Sequence, residues 1–193
     1  MVARQLAVKG ALLVLSVAAC AAAAAQSSDD PRLATSRDAT ARFQQELSGR
    51  LMAAMAAGGP VEAITVCSEE APEIAARLSA ELGAQVGRTA LRLRSPANAP
   101  DSAQRAVLEQ FVRVVRAGAT ELPEHFAVSP DGGAFYMKAI VTQPPCLVCH
   151  GDAVAAPIRE AIAEHYPEDR AVGFAVGDVR GSFVIEWPAR TGP

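Results

Sequence analysis

The sequence predicts an α+β domain in which an antiparallel sheet carries helices on one face. Three observations lead there. Apolar residues recur at helical spacing from Leu33 to Leu82. Alternating apolar and polar segments, bounded by Gly, Pro, Asn and Asp, dominate from Gln85 onward. The 193 residues suit one domain behind a targeting segment.

The elements follow in order. Leu33 to Ala57 carries Phe43, Leu47, Leu51 and Met55 four residues apart, an amphipathic helix closed by Gly58-Gly59-Pro60. Val61 to Leu82 is a second helical stretch. Val61, Ile64, Ala71, Ala75, Leu78 and Leu82 share one face, and Glu62, Glu69, Glu73 and Arg77 project from the other. Cys67 falls inside the apolar stripe. Pro72 lacks an N–H and crowds the preceding turn, so a kink is expected just after Cys67.

Gln85 to Arg94 alternates like a strand and puts Arg88, Arg92 and Arg94 on one face. Ser95 to Pro100 is a loop, after which Asp101 or Ser102 caps a helix running to about Ala117. His125–Val128 and Gly133–Thr142 form a hairpin around Ser129-Pro130-Asp131-Gly132. A short helix spans Ala156–His165. Phe174–Val176 and Gly181–Trp187 are expected to form a last hairpin through Gly177-Asp178.

Half of the residues are apolar, but only 5% are aromatic, and the formal net charge is −3. Such a charge provides no global basic field, which argues against nucleic acid as a partner. The first 25 residues have the pattern of an export segment. Arg4 and Lys9 precede the short apolar run Gly10–Ala19, and small residues from Ala21 to Ala25 offer a cleavage site. The apolar run is shorter than the roughly 20 residues that span a bilayer. Val17-Ala18-Ala19-Cys20 also resembles a lipobox, with Val where Leu is usual, so lipidation at Cys20 and cleavage near Ala25 stand as alternatives. Both imply an exported, periplasmic protein, in the first case lipid-anchored at the outer membrane. Residues 26–36 are then a mobile leader and residues 37–188 a single domain.

Export changes the meaning of the four cysteines. With Cys20 assigned to the export segment, Cys67, Cys146 and Cys149 are left. Cys146-Leu147-Val148-Cys149-His150 is the C-x-x-C-H signature of covalent c-type haem attachment. The chemistry needs two thiols one helical turn apart to add across the haem vinyl groups, and an adjacent His to reach the iron as proximal ligand. A thioredoxin-like dithiol would want a βαβ setting. A zinc site would want two further paired ligands, whereas His125 and His165 are scattered. A plain disulfide is the third rival. On the residues alone the second axial position stays open among Cys67, His125, His165, Met52, Met55, Met137 or no protein ligand. A buried Cys is usually inert packing, and a Met at helical spacing usually core.

Several stretches resemble a family of small bacterial c-type haem domains with a PAS-like fold. They are Ala63–Pro72, Gly87–Asp101, Lys138–Thr142 leading into Cys146–Gly151, Tyr166–Ala171 and Gly177–Gly181, which together cover most of Leu33 to Pro188. The resemblance implies a central antiparallel sheet with flanking helices behind a long N-terminal helix. It also implies one haem iron held by His150 on one side and Cys67 on the other.

Arg88 and Arg92 are then candidates to neutralise the haem propionates, with Arg94, Asn98 and Arg180 of the same kind. A bidentate guanidinium suits a carboxylate. The functional reading is a sensor of redox state or of a small ligand such as a diatomic gas, read by a signalling or redox partner. The alternative is a low-potential electron carrier. A haem enzyme ranks last, because no distal His–Arg pair is recognisable for peroxide chemistry. The helix Leu33–Ala57 is a candidate surface for a homodimer.

Overall fold

The computed structural model describes residues 29–189. The expected export segment, residues 1–25 with Cys20, lies outside the described residues. Helix α1, Pro31–Thr65, starts with Pro31 in its first turn behind Asp30, whose carboxylate accepts from the Arg32 amide at 2.9 Å. Proline fits there because the first amides of a helix have no internal partner. The domain therefore begins earlier than expected. Residues 31–36, assigned to the leader, are helical, and Ser36 is fully buried, accepting the Trp187 indole N–H at 3.0 Å.

The predicted break occurs at Gly59, whose φ of 79° is open to a residue without Cβ. A π-helical turn, Val66–Glu70, then leads into α2, Ala71–Leu82. Gly83 closes α2 in the left-handed conformation, its N–H on Ser79 O at 3.0 Å.

Four antiparallel strands follow in the order β1-β4-β3-β2: β1 is Gln85–Thr89, β2 Glu124–Val128, β3 Ala134–Val141 and β4 Val179–Trp187. Helix α3, Ser102–Arg116, carries a capping box between Asp101 and Gln104. The two-turn segment after β3 consists of a 3-10 turn, Pro144–Cys146, and α4, Leu147–His150, and α5 spans Ala156–His165. The α+β class, the four-stranded sheet, the long N-terminal helix and the flanking helices agree with the sequence.

Helices cover both faces of the sheet rather than one. Along β3, Tyr136 packs with Phe43, Ile74, Leu78 and Ile185 under α1 and α2, whereas Met137 and Ala139 pack with Val107, Leu108 and Phe111 of α3. Side chains alternate across a strand. The run Tyr136-Met137 is apolar at both parities, so each face needs cover. Full burial of such a side chain contributes roughly 1.5–3 kcal/mol.

Two strand expectations differ from the structure. β1 stops at Thr89, opposite Ser182, so Leu91–Arg94 form a loop and Arg88, Arg92 and Arg94 do not share a strand face. The Thr89 hydroxyl donates instead to Asn98 O at 2.9 Å, turning the chain off the sheet. Phe174–Val176 is not a strand either. Its backbone is engaged elsewhere, with Phe174 N on His150 O at 3.0 Å and Gly177 N on Thr142 O at 2.9 Å. The β3–β4 connection, residues 142–178, therefore folds upon itself and carries the C-x-x-C-H motif.

Candidate functional site

The site is assembled from that connection, the π-turn and the loop after β1. Pro144 and Pro145 bring the chain into the 3-10 turn, where Gln143 N reaches Cys146 Sγ at 3.4 Å. A single helical turn carries Cys149 and His150, and Gly151 ends it with its N–H on Leu147 O at 3.0 Å. Val148 and Cys149 pack against Ile64, Val154, Ile158 and Ile162, an apolar wall drawn from α1, α5 and the loop before α5. Burial pushes the Cys149 thiol up.

His150 Nδ1 lies 2.7 Å from Ala171 O. A carbonyl only accepts, so Nδ1 carries the hydrogen and Nε2 keeps its lone pair, with Arg180 Nε 3.5 Å away. Burial, then the Arg180 and Arg94 guanidiniums, hold the His150 pKa down to about 3. The imidazole is thus neutral at neutral pH, the form that binds a metal. Tying down one ring nitrogen orients the other, the usual arrangement around a metal-bound His. Phe174 stands edge-on to the ring, with centroids 6.3 Å apart.

Cys67 sits on the π-turn, where Ala71 N reaches back to Val66 O, one residue further than in an α-helix. The amide that Pro72 lacks is part of the reason for the widening. The kink expected after Cys67 is therefore a π-turn containing it. Cys67 is free and half-buried. Ile64, one turn before it, packs in the cluster that includes Cys149 and Tyr166, which brings Cys67 to the same side of the domain as the C-x-x-C-H turn. Burial raises the Tyr166 phenol to about 12.

The arginines part company. Arg88 is lowered by burial and rests over the Phe43 ring at 5.4 Å. Arg180 is lowered to about 10 by burial and by its neighbours Arg94 and Arg88, and its Nε lies 3.2 Å from His150 Nδ1. Among the described residues neither has a carboxylate in ion-pair contact, whereas Arg94 pairs with Asp169 at 3.2 Å. Arg92 is exposed and already engaged. It donates to Val172 O at 2.8 Å and Gly173 O at 3.0 Å and lies 3.5 Å over Phe174.

His125, Met137 and Met52 lie elsewhere. His125 is on β2, the strand at the far edge from β1, beside Phe135. Met137 is fully buried in the core under α3, and Met52 is 58% exposed. His165 is exposed but close, its Nδ1 3.4 Å from Ser68 Oγ. Three participants had no role in the sequence reading: Asp169, Tyr166 and Phe174. Asp169 and Tyr166 lie in the stretch Tyr166–Ala171 that carried part of the resemblance, while nothing local marked Phe174.

Among the described residues no group of three or more His, Cys, Asp or Glu is placed to hold a bare metal ion. The donors present are one imidazole nitrogen, three free thiols and cationic groups lacking anions. They fit a haem, which brings four nitrogens and two carboxylates of its own and asks the protein for axial ligands, thiols and positive charge.

An α+β domain with a four-stranded antiparallel sheet, whose β3–β4 connection presents thiols and an imidazole beside arginines, is the class of protein defined here. The chain belongs to the Tll0287-like family, whose model matches residues 7–188. A solved relative, described as the cyanobacterial heme-protein Tll0287, superposes with a TM-score of 0.67 at 27% identity, covering 86% of this chain and 99% of that one. No curated protein matches the chain.

Proposed function

We propose that this chain is an exported, periplasmic haem protein that carries one haem covalently and works as a sensor of redox state or of a small ligand. The reading is carried by one juxtaposition: Cys149 and His150 share a helical turn that packs against Ile64, one turn before Cys67, with Arg180 Nε 3.2 Å from His150 Nδ1. The likeness to a protein described as a heme-protein supports the cofactor. When bound, haem supplies an iron that cycles between ferric and ferrous and accepts small ligands.

Cys146 and Cys149 would hold the haem covalently, each thiol S–H being suited to addition across one vinyl group to give a thioether. His150, through Nε2, and Cys67, through Sγ, would hold the iron. Arg88 and Arg180 neutralise the propionates. Arg92, already held by two carbonyls and Phe174, is the weaker candidate.

The sensing role rests on Cys67. A thiolate from Cys67 would favour ferric iron, so reduction of the iron or protonation of the thiol would weaken its hold. The π-turn that carries it already departs from regular helix, where a change of turn type repositions a side chain. The free chain end and the anchor are matters for mass spectrometry of the mature N-terminus.

The decisive experiment is spectroscopic. The wild type is expected to keep its haem in the pyridine-haemochrome assay after acid extraction, and Cys146→Ala/Cys149→Ala to lose it. The ferric wild type is expected to be six-coordinate and low-spin with thiolate character, and Cys67→Ser to lose that character. An unchanged Cys67→Ser spectrum overturns the Cys67 assignment. Ferrous protein that refuses CO while exchanging electrons fast overturns sensing in favour of electron transfer.

A further inference from the structure

The Tyr166–Ala171 stretch is built around one carboxylate. Asp169 N is held by Tyr166 O at 3.0 Å, and Asp169 Oδ1 accepts both from Ala171 N at 2.8 Å and from Arg94 Nε at 3.2 Å. The Arg94–Asp169 pair is nearly dry, with each side chain only 10% exposed. From there Arg94 Nη2 donates to Cys149 O at 2.7 Å and reaches Ala171 O at 3.3 Å. Ala171 O is the carbonyl that accepts from His150 Nδ1. The backbone reinforces the arrangement: Arg170 N bonds Leu93 O at 2.7 Å, and Gly173 N bonds Gly151 O at 3.1 Å.

Two positions of the His150 frame, the Cys149 and Ala171 carbonyls, are thus fixed by one guanidinium. That guanidinium is in turn fixed by one carboxylate. Arg94 Nη2 also comes within 3.1 Å of His150 Nδ1. Both atoms carry hydrogen, so this is a charge beside the ring rather than a hydrogen bond. We propose that Asp169 and Arg94 are positioning residues which, through the Ala171 and Cys149 carbonyls, hold the His150 ring and set the reduction potential of an iron bound to it. This inference rests on the haem reading above.

The electrostatic consequence has a sign. A nearby cation disfavours the extra positive charge of ferric iron and raises the potential, and an anion lowers it. In a dry setting these effects are weakly screened. The guanidinium lies 3.1 Å from the ring with the carboxylate behind it, so the two deletions change the net charge beside the ring in opposite senses. Arg94→Gln leaves Asp169 alone and is expected to lower the potential. Asp169→Asn keeps an oxygen for the Ala171 amide, leaves Arg94 alone and is expected to raise it. Each shift corresponds to about tenfold in the ferric–ferrous equilibrium, about 59 mV for one electron.

The test is a redox titration of wild type, Arg94→Gln, Asp169→Asn and Arg94→Lys holoproteins, with covalent haem checked by pyridine haemochrome. Arg94→Lys keeps the charge but loses the planar fork. Its potential is expected near wild type, while its ferric low-spin EPR lines broaden as the ring loosens. Opposite shifts for the two charge deletions support the proposal. Haem-loaded variants whose potentials stay put or move in the same direction overturn it, as does Arg94→Lys moving as far as Arg94→Gln. Wild type that never takes up haem overturns the functional reading instead, so the two failures are distinguishable.

Discussion

A guanidinium withdrawn from water without a carboxylate partner is an expense to a folded chain. Arg88 is half-buried over Phe43 with no carboxylate in ion-pair contact among the described residues, whereas Arg92 has two carbonyls and an aromatic face. The two substitutions should therefore separate. In a haem-free Cys146→Ala/Cys149→Ala background, Arg88→Gln is expected to change stability by under about 0.5 kcal/mol, because the half-buried guanidinium has no ion pair to lose. In the intact chain the same substitution should reduce haem content per protein. Arg92→Gln should leave haem content unchanged and cost about 1 kcal/mol for its lost hydrogen bonds. Denaturant unfolding and haemochrome assay measure the two quantities, and equal effects at both positions would sink the assignment of Arg88 to the propionates.

At the scale of elements, the π-turn Val66–Glu70 determines where Cys67 points. It is braced from outside, since Arg50 of α1 pairs with Glu70 at 2.7 Å and with Glu46 one turn away. Such exposed pairs contribute little individually. The proline is the stronger cause. Pro72→Ala restores the missing N–H and lets the segment close into regular α-helix. Removing the extra residue of the turn rotates what precedes it by roughly 100° relative to α2. The expected result is several-fold less thiolate-type low-spin ferric haem with little change in far-UV helicity. A wild-type spectrum in Pro72→Ala would show that the turn is held by packing alone.

Over the whole molecule, the sheet is clamped between α1–α2 and α3, and the site hangs from the β3–β4 connection on a rigid base. Contacts between distant elements join this frame. Arg37 on α1 donates from Nε to Glu124 on β2 at 3.0 Å, and the same carboxylate accepts from the buried Tyr136 on β3 at 2.9 Å. The Arg37 bond, outweighing burial, holds the Glu124 carboxyl below its ordinary value. A depressed carboxyl contributes stability that is present above the unfolded value, near 4.3, and is lost as pH falls through the lower folded value. Wild type should therefore lose more stability between pH 7 and pH 3 than Glu124→Gln. Because the pair is partly exposed and screened, the difference should be under about 1 kcal/mol, measured by urea unfolding at both pH values. A larger loss in the variant would reverse the sign and refute the account.

Local chemistry was legible in the chain itself. The Asp101 cap, the turn at Ser129–Gly132, the helix Ala156–His165, the break at Gly59 and the disturbance before Pro72 all follow from residues within a turn or two of one another. So does the C-x-x-C-H motif, whose geometry is one helical turn. Tertiary structure decided the rest. Leu91–Arg94 and Phe174–Val176 alternate like strands, yet their backbones bond to Asp169–Ala171 neighbours and to the His150 loop, because partners there were nearer than another strand. Arg94 and Asp169, 75 residues apart, look like ordinary surface charges until the fold buries them together. Hydrophobic period and turn residues act over a few positions; which arginine remains uncompensated, and which carbonyl holds His150, depends on packing between segments that the sequence alone does not bring face to face.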